Sequence, residues 1–214
     1  RLNIFCKDST KDEFPGLYDL IVGFEVLPHI ERKRETFENI LRHLTDDGRV
    51  ILADCVADTV TEINMPHLAM FTSTSEQYSE VLSEVGLKLI ECVDISPEIA
   101  NFLDDDDFEK NLAELMAVKP SVREFEETYR GWYSFGQGVK KGIFRYLLLT
   151  LGKAEGESPE PLRAISQGHF DRPMSYRERM ALEPAPREEH AIDGMSDEEI
   201  EALWARMETE GDRS

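Results

Sequence analysis

Two kinds of hydrophobic pattern alternate along the chain. The stretch YDLIVGFEVL, residues 18–27, is nearly continuous in apolar, β-branched and aromatic residues, with Asp19 and Glu25 near its ends. Such a run predicts a strand of a parallel sheet, covered on both faces. Pro28 stops it, and from Glu31 the period changes. Phe37, Ile40, Leu41 and Leu44 stand at i, i+3, i+4 and i+7 among Glu, Lys and Arg, which predicts an amphipathic helix lying on the sheet. DDG at 46–48 ends that helix with a glycine suited to a left-handed turn, and RVILADCV, 49–56, resumes as a second buried strand. Strand, helix and parallel strand make a right-handed crossover unit.

The pattern recurs downstream. In SEQYSEVLSEVG, 75–86, Ser75 is a candidate N-cap, Tyr78, Val81, Leu82 and Val85 keep helical spacing, and Gly86 closes the helix ahead of the strand LKLIECVDIS, 87–96. LNIFC, 2–6, reads as a short early strand, with turn chemistry at FPG, 14–16. GIFRYLLLTLG, 142–152, is the last apolar strand, with Arg145 and Tyr146 inside it. Residues 97–135 are helical in tendency. They carry the acidic run at 104–107, read as a solvated helix end or loop, and the aromatic cluster YRGWYSF at 129–135.

After Gly152 the composition changes. Residues 155–214 are proline-rich and hold 7 Lys and Arg against 16 Asp and Glu. The expected organisation is therefore one α/β domain over 1–154 and an acidic linker or tail over 155–214. A short helix is expected near 196–210, where Ser196 and Glu199 form a capping box ahead of Ile200, Leu203 and Trp204.

Charge and cysteine usage narrow the function classes. Lys and Arg number 24 against 44 Asp and Glu, a formal net charge of -20, which opposes binding to nucleic acid and to anionic membrane surfaces. Cys6, Cys55 and Cys92 lie singly in apolar runs, which predicts small buried hydrophobes in a reducing cytoplasm and no metal site. No apolar run is long enough for a membrane span, and no basic segment leads an apolar one as in a signal peptide.

In this order the residues resemble a family. DSTKDEFPGLYDLIVGFEVLPHI, the helix after it and LTDDGRVILADCV resemble the second half of a class I S-adenosylmethionine-dependent methyltransferase. The resemblance covers residues 2 to about 153. It implies a Rossmann-like sheet closed by the antiparallel pair LKLIECVDIS and GIFRYLLLTLG, and incomplete at its N-terminus. The first strands, the glycine-rich loop and the acidic ribose anchor would then lie upstream of Arg1, leaving the 214-residue chain a very weak binder of S-adenosylmethionine. GQGVKKG at 136–142 is no substitute for that loop, because it follows a helix-like stretch instead of a strand. ISQGHFDRPMSYRERM and GMSDEEIEALWARMETE resemble linkers of modular polyketide synthases. That context implies a small or carrier-bound acyl substrate and an acyl carrier protein as partner.

The resemblance also assigns roles. His29, after FEVLP, and Asp54, ending RVILAD, would lie at the carboxyl ends of adjacent strands, where open α/β sheets bind ligands, as base and orienting carboxylate. Pro28 stands where carbon-methylating members place the histidine, and Asp54 where they use Glu. Glu25 is a second candidate carboxylate, and helix capping or solvent exposure is the other reading of His29. Asp8 and Ser9 stand where the family contacts adenine. Gly23 and Phe24 occupy the strand end beside the methionine part of the cofactor, and core packing is the other reading of Phe24. Tyr129, Trp132, Tyr133 and Phe135 read as core packing, with a substrate lid as the alternative, and His67 as a loop histidine near the cleft. Three functions stay open: carbon or oxygen methylation in a multienzyme, a non-catalytic pseudo-methyltransferase that spaces or docks other domains, and a stand-alone small-molecule methyltransferase.

Overall fold

The computed structural model describes residues 3–57, 64–65, 70–119, 121, 125–182 and 196. Its elements in chain order are β1 (Tyr18–Phe24), a 3-10 turn (Leu27–His29), α1 (Lys33–His43), β2 (Leu44–Ala57), β3 (Asn64–Met65), β4 (Met70–Phe71), β5 (Ser73–Thr74), α2 (Ser75–Val85) and β6 (Leu87–Asp94). There follow α3 (Ser96–Phe102), α4 (Phe108–Val118), α5 (Glu126–Lys140), β7 (Phe144–Lys153), α6 (Pro159–Asp171), β8 (Met174–Ser175) and α7 (Tyr176–Leu182). The chain divides into two compact units, Arg1–Tyr176 and Arg177–Ser214. In the second, the helical residues 177–182 and Ser196 are described, so the helix expected near 196–210 lies outside the described residues.

The main sheet of the first unit runs β1-β2-β7-β6-β8, with β5 also pairing β2. β1 and β2 are parallel, and β7 is antiparallel to both β2 and β6. The alternation of side chains divides the core into two layers. On one face Leu52 and Val56 of β2 and Leu147, Leu149 and Leu151 of β7 pack with Phe37, Tyr78, Leu82 and Phe170 from α1, α2 and α6. On the other, Ala53, Cys55, Phe144 and Tyr146 pack with Phe135 and Val139 of α5.

Most expected elements form, and each departure has a local cause. Residues 3–7 make no strand and are exposed, Cys6 among them, because they pair with no ladder. β1 is not covered on both faces. Leu20, Val22 and Phe24 are 53%, 49% and 59% exposed, because β2 is its one strand neighbour among the described residues and α1 lies on the opposite face. Gly48 does not end a helix, since α1 stops at His43 and Leu44 already pairs with Tyr18. The segment TDDG instead swells out of β2, between the pairs Tyr18–Leu44 and Leu20–Arg49, as a bulge. The N-cap of α2 is Thr74 and not Ser75: its Oγ1 accepts from the Gln77 amide while the Gln77 side chain accepts from the Thr74 amide, a reciprocal capping box. Gly86 closes α2 in the left-handed conformation, as expected, at φ 90°. The glycines of GQGV permit close packing inside α5, where a Cβ at Gly136 or Gly138 would stand 2.7 Å from Leu103 Cβ or 2.8 Å from the Phe144 ring.

The expected linker also carries structure. Leu162, Ser166 and Phe170 of α6 are buried, and the Phe170 carbonyl accepts from Arg145 Nη1 at 2.7 Å.

Candidate active site

Parallel strands end at a common rim, and the loops leaving that rim form the site. At the end of β1 the chain turns sharply through Glu25, which holds φ at 55°, a left-handed conformation that a non-glycine residue adopts at a cost of order 1 kcal/mol. Two bonds hold that turn: the Glu25 amide donates to the Ala53 carbonyl at 3.2 Å, and Glu25 Oε1 accepts from the Tyr146 hydroxyl at 2.8 Å. Leu27 and Pro28 then bury themselves under the 3-10 turn, which leaves His29 exposed at its end.

Glu25, His29, Cys55, Met70, Trp132, Phe135 and Tyr146 line a cleft of about 10 Å³, room for a water molecule or a group of similar size. The surround is apolar apart from the carboxylate, the imidazole and the phenol. Tyr146 is 4% exposed, and burial together with the Glu25 carboxylate holds its phenol well above the ordinary range, so it donates a proton to Glu25 and does not ionise.

Asp54 is directed elsewhere. It is fully buried on the α1/α2 face of β2, where Oδ2 accepts from the Tyr78 hydroxyl and Oδ1 accepts from the Cys55 amide at 2.7 Å. Period-two alternation explains this: Cys55 faces the cleft, so its neighbour Asp54 faces the layer beneath α2. Desolvation pushes the Asp54 carboxyl up to about 7, against the opposing pull of the Lys33 ammonium. Asp54 thus stands under the floor of the cleft, and Glu25 is the carboxylate that lines it together with His29.

Of the residues expected at the cofactor, Ser9 and Gly23 line one groove, and Asp8 and Phe24 do not. Ser9 and Gly23 line it with Phe14, Leu20, Val22 and Ile40, enclosing about 340 Å³ between β1 and α1. Asp8 is committed to its own turn. Its Oδ1 accepts from the Thr10 amide and hydroxyl at 2.9 and 2.7 Å, Oδ2 pairs with Lys11 at 3.0 Å, and these bonds hold its carboxyl well below the usual range. Phe24 is exposed at the strand end, so it is not core. Asn39 and His43, the most polar groups of the groove, already serve the chain: Asn39 Nδ2 donates to the Ser9 and Asp12 carbonyls, and His43 Nε2 accepts from the Phe14 amide. The groove thus offers an apolar wall ending at Gly23 and Ser9, a surface that fits one side of an adenosyl group.

The remaining candidates sort by burial. Phe135 is core, Trp132 packs edge-on against it and Tyr133 stacks on Phe108, so the aromatic cluster joins α5 to its neighbours. His67 lies outside the described residues. Among the described residues no three His, Cys, Asp or Glu stand together as metal ligands, and no helix is long and apolar enough to cross a membrane. Tyr146 is a group of the cleft to which the sequence pattern assigns no role, and a phenol inside a buried apolar strand is the signal that points to it.

Known proteins place this geometry in context. The O-methyltransferase from the trans-AT PKS multienzyme of Brevibacillus brevis, solved in complex with S-adenosyl-L-homocysteine, superposes with a TM-score of 0.78 at 33% identity, over 85% of this chain and 59% of that one. The chain has a methyltransferase fold. The StiE O-MT, residues 942-1257, is 34% identical with a TM-score of 0.69, over 81% of this chain and 57% of that one. Polyketide synthase ThaQ of Burkholderia thailandensis is 38% identical over 191 residues, 87% of this chain and 9% of the synthase. The chain therefore spans under two thirds of the solved methyltransferases it matches and a small part of the synthase. No family model matches it. The expected Rossmann-like S-adenosylmethionine-dependent methyltransferase architecture is the observed one, down to the antiparallel strand β7 between β2 and β6.

Proposed function

We propose that the chain takes part in transferring a methyl group from S-adenosylmethionine to a hydroxyl oxygen of a polyketide-type acyl substrate, as part of a multienzyme. The observation that carries the reading is the cleft at the end of β1, where His29, Glu25 and Tyr146 meet in an apolar surround. The identities of 33 and 34% to O-methyltransferases favour oxygen over carbon as the acceptor, and the likeness to a polyketide synthase favours an acyl substrate held on a carrier protein. When bound, S-adenosylmethionine supplies an electrophilic methyl group to a nucleophile placed in line with it. Ser9, Gly23 and Phe24 are the residues of this chain that would lie beside it.

The chain's own chemistry is proton handling and positioning. A ring nitrogen of His29 takes the proton that the substrate hydroxyl loses as its oxygen becomes the nucleophile. Glu25, fixed by the Tyr146 hydroxyl and by its backbone bond to β2, puts a negative charge in the cleft that stabilises the imidazolium formed. Trp132, Phe135 and Met70 exclude water from the same space.

The test is direct. The multienzyme that contains the chain is incubated with methyl-labelled S-adenosylmethionine and a 3-hydroxyacyl chain on a carrier protein, and the product is read by mass spectrometry. A gain of one methyl group on oxygen is the expected result. Label on carbon would redirect the acceptor, and no label in a folded, cofactor-binding polypeptide would favour a spacer without catalysis.

A further inference from the structure

We propose that Lys33 is a positioning residue, a buried cationic clamp that ties together two of the loops that line the cleft. Lys33 opens α1 and is 7% exposed. Its Nζ donates to the carbonyl of Ile30 at 3.0 Å and to the carbonyl of Phe71. Ile30 closes the 3-10 turn that ends in His29. Phe71 follows Met70, which lines the same cleft as His29. One ammonium group thus joins the loop after β1 to the crossing between β2 and α2.

The choice of residue fits the task. An ammonium is a compact point charge with three donors, so it can serve carbonyls from two different segments at once. Burying such a charge is unfavourable unless an anion lies near, and the Asp54 carboxylate, where ionised, is attracted to it. Asp54 is itself held by the Tyr78 hydroxyl of α2 and the Cys55 amide of β2. The ammonium thus ties both loops from beneath, and its charge acts on the buried Asp54 carboxyl that α2 and β2 hold in place. Lys33 touches no reacting atom and acts through the placement of His29 and Met70.

That placement matters for function only if the cleft is the reaction site, so the catalytic meaning of the clamp rests on the proposed function. The clamp itself is tested without any turnover, by amide hydrogen exchange on the full 214-residue chain. In Lys33→Met, exchange should quicken about ten-fold in both 26–32 and 70–74, with β6 and β7 keeping wild-type rates. Lys33→Arg, which retains charge and N–H donors, should restore protection in both segments. Quickening in one segment alone, or in neither, overturns the proposal. Should Lys33→Met fail to fold because Asp54 is left uncompensated, the double variant Lys33→Met/Asp54→Asn removes both charges and is read in the same way. The two readings fail separately. Wild-type exchange in a Lys33→Met chain disproves the clamp whatever the enzyme does, and full methyl transfer by His29→Gln disproves the catalytic cleft whatever the loops do.

Discussion

Strands β1 and β7 are both built from apolar segments and end in opposite environments. β7 lies between two antiparallel neighbours with helices on both faces, and its Leu147, Leu149 and Leu151 are at most 1% exposed. Among the described residues β1 pairs with β2 alone, and its Leu20, Val22 and Phe24 are about half exposed. Hydrophobic content states how much cover a strand demands. Whether the described residues supply that cover is a property of topology. The candidate cleft stands where the two regimes meet: Glu25 follows the open strand, and Tyr146, which holds it, comes from the covered one.

This contrast can be broken at several points. The largest effect should come from the buried charge at the centre. Burial raises the Asp54 carboxyl from 3.8 to about 7, so the folded protein binds that proton more tightly than the unfolded chain. Its stabilising contribution is full below about pH 4 and is lost as pH rises through 7. A shift of this size corresponds to at most about 4 kcal/mol. Urea denaturation of wild type and Asp54→Asn across that interval should show the wild type losing ground as pH rises. Parallel curves would show that Asp54 is not buried as described.

Next is the covered strand. Leu149→Ala leaves a cavity in the layer shared with α1, α2 and α6, at an expected cost of about 3 kcal/mol by equilibrium denaturation. A cost under 1 kcal/mol would mean that the two strands are alike. The capping box of α2 is a smaller term on the same side, and Thr74→Ala should cost about 1 kcal/mol. The open strand should be nearly indifferent. Val22→Lys is expected to change stability by no more than about 0.5 kcal/mol. Because an exposed apolar strand edge is a template for association, the same variant should lower self-association in sedimentation velocity. A destabilised monomer with unchanged association would place Val22 in a packed interior.

Sequence pattern revealed much of this fold and less of its site, for definable reasons. The βαβ unit and the Gly86 turn follow from period and local backbone chemistry, which depend on near neighbours, whereas the antiparallel setting of the closing strand follows only from the family resemblance. Asp54 stood at the right strand end, but which face it takes depends on the parity of β2 across the sheet, and the rim position alone does not fix it. Glu25 and Tyr146 are 121 positions apart and meet because β7 inserts beside β2, a pairing that no local pattern announces. α6 was read as linker because its prolines and charges hid the spacing of Leu162, Ser166 and Phe170.

The central claim, that chemistry occurs at His29 beside Glu25, is tested most directly by the rate of methyl transfer in His29→Gln at constant thermal stability. The account predicts a loss of about 10²-fold or more, as expected for removal of a general base, with the melting temperature of the wild type. Transfer at the wild-type rate would contradict it.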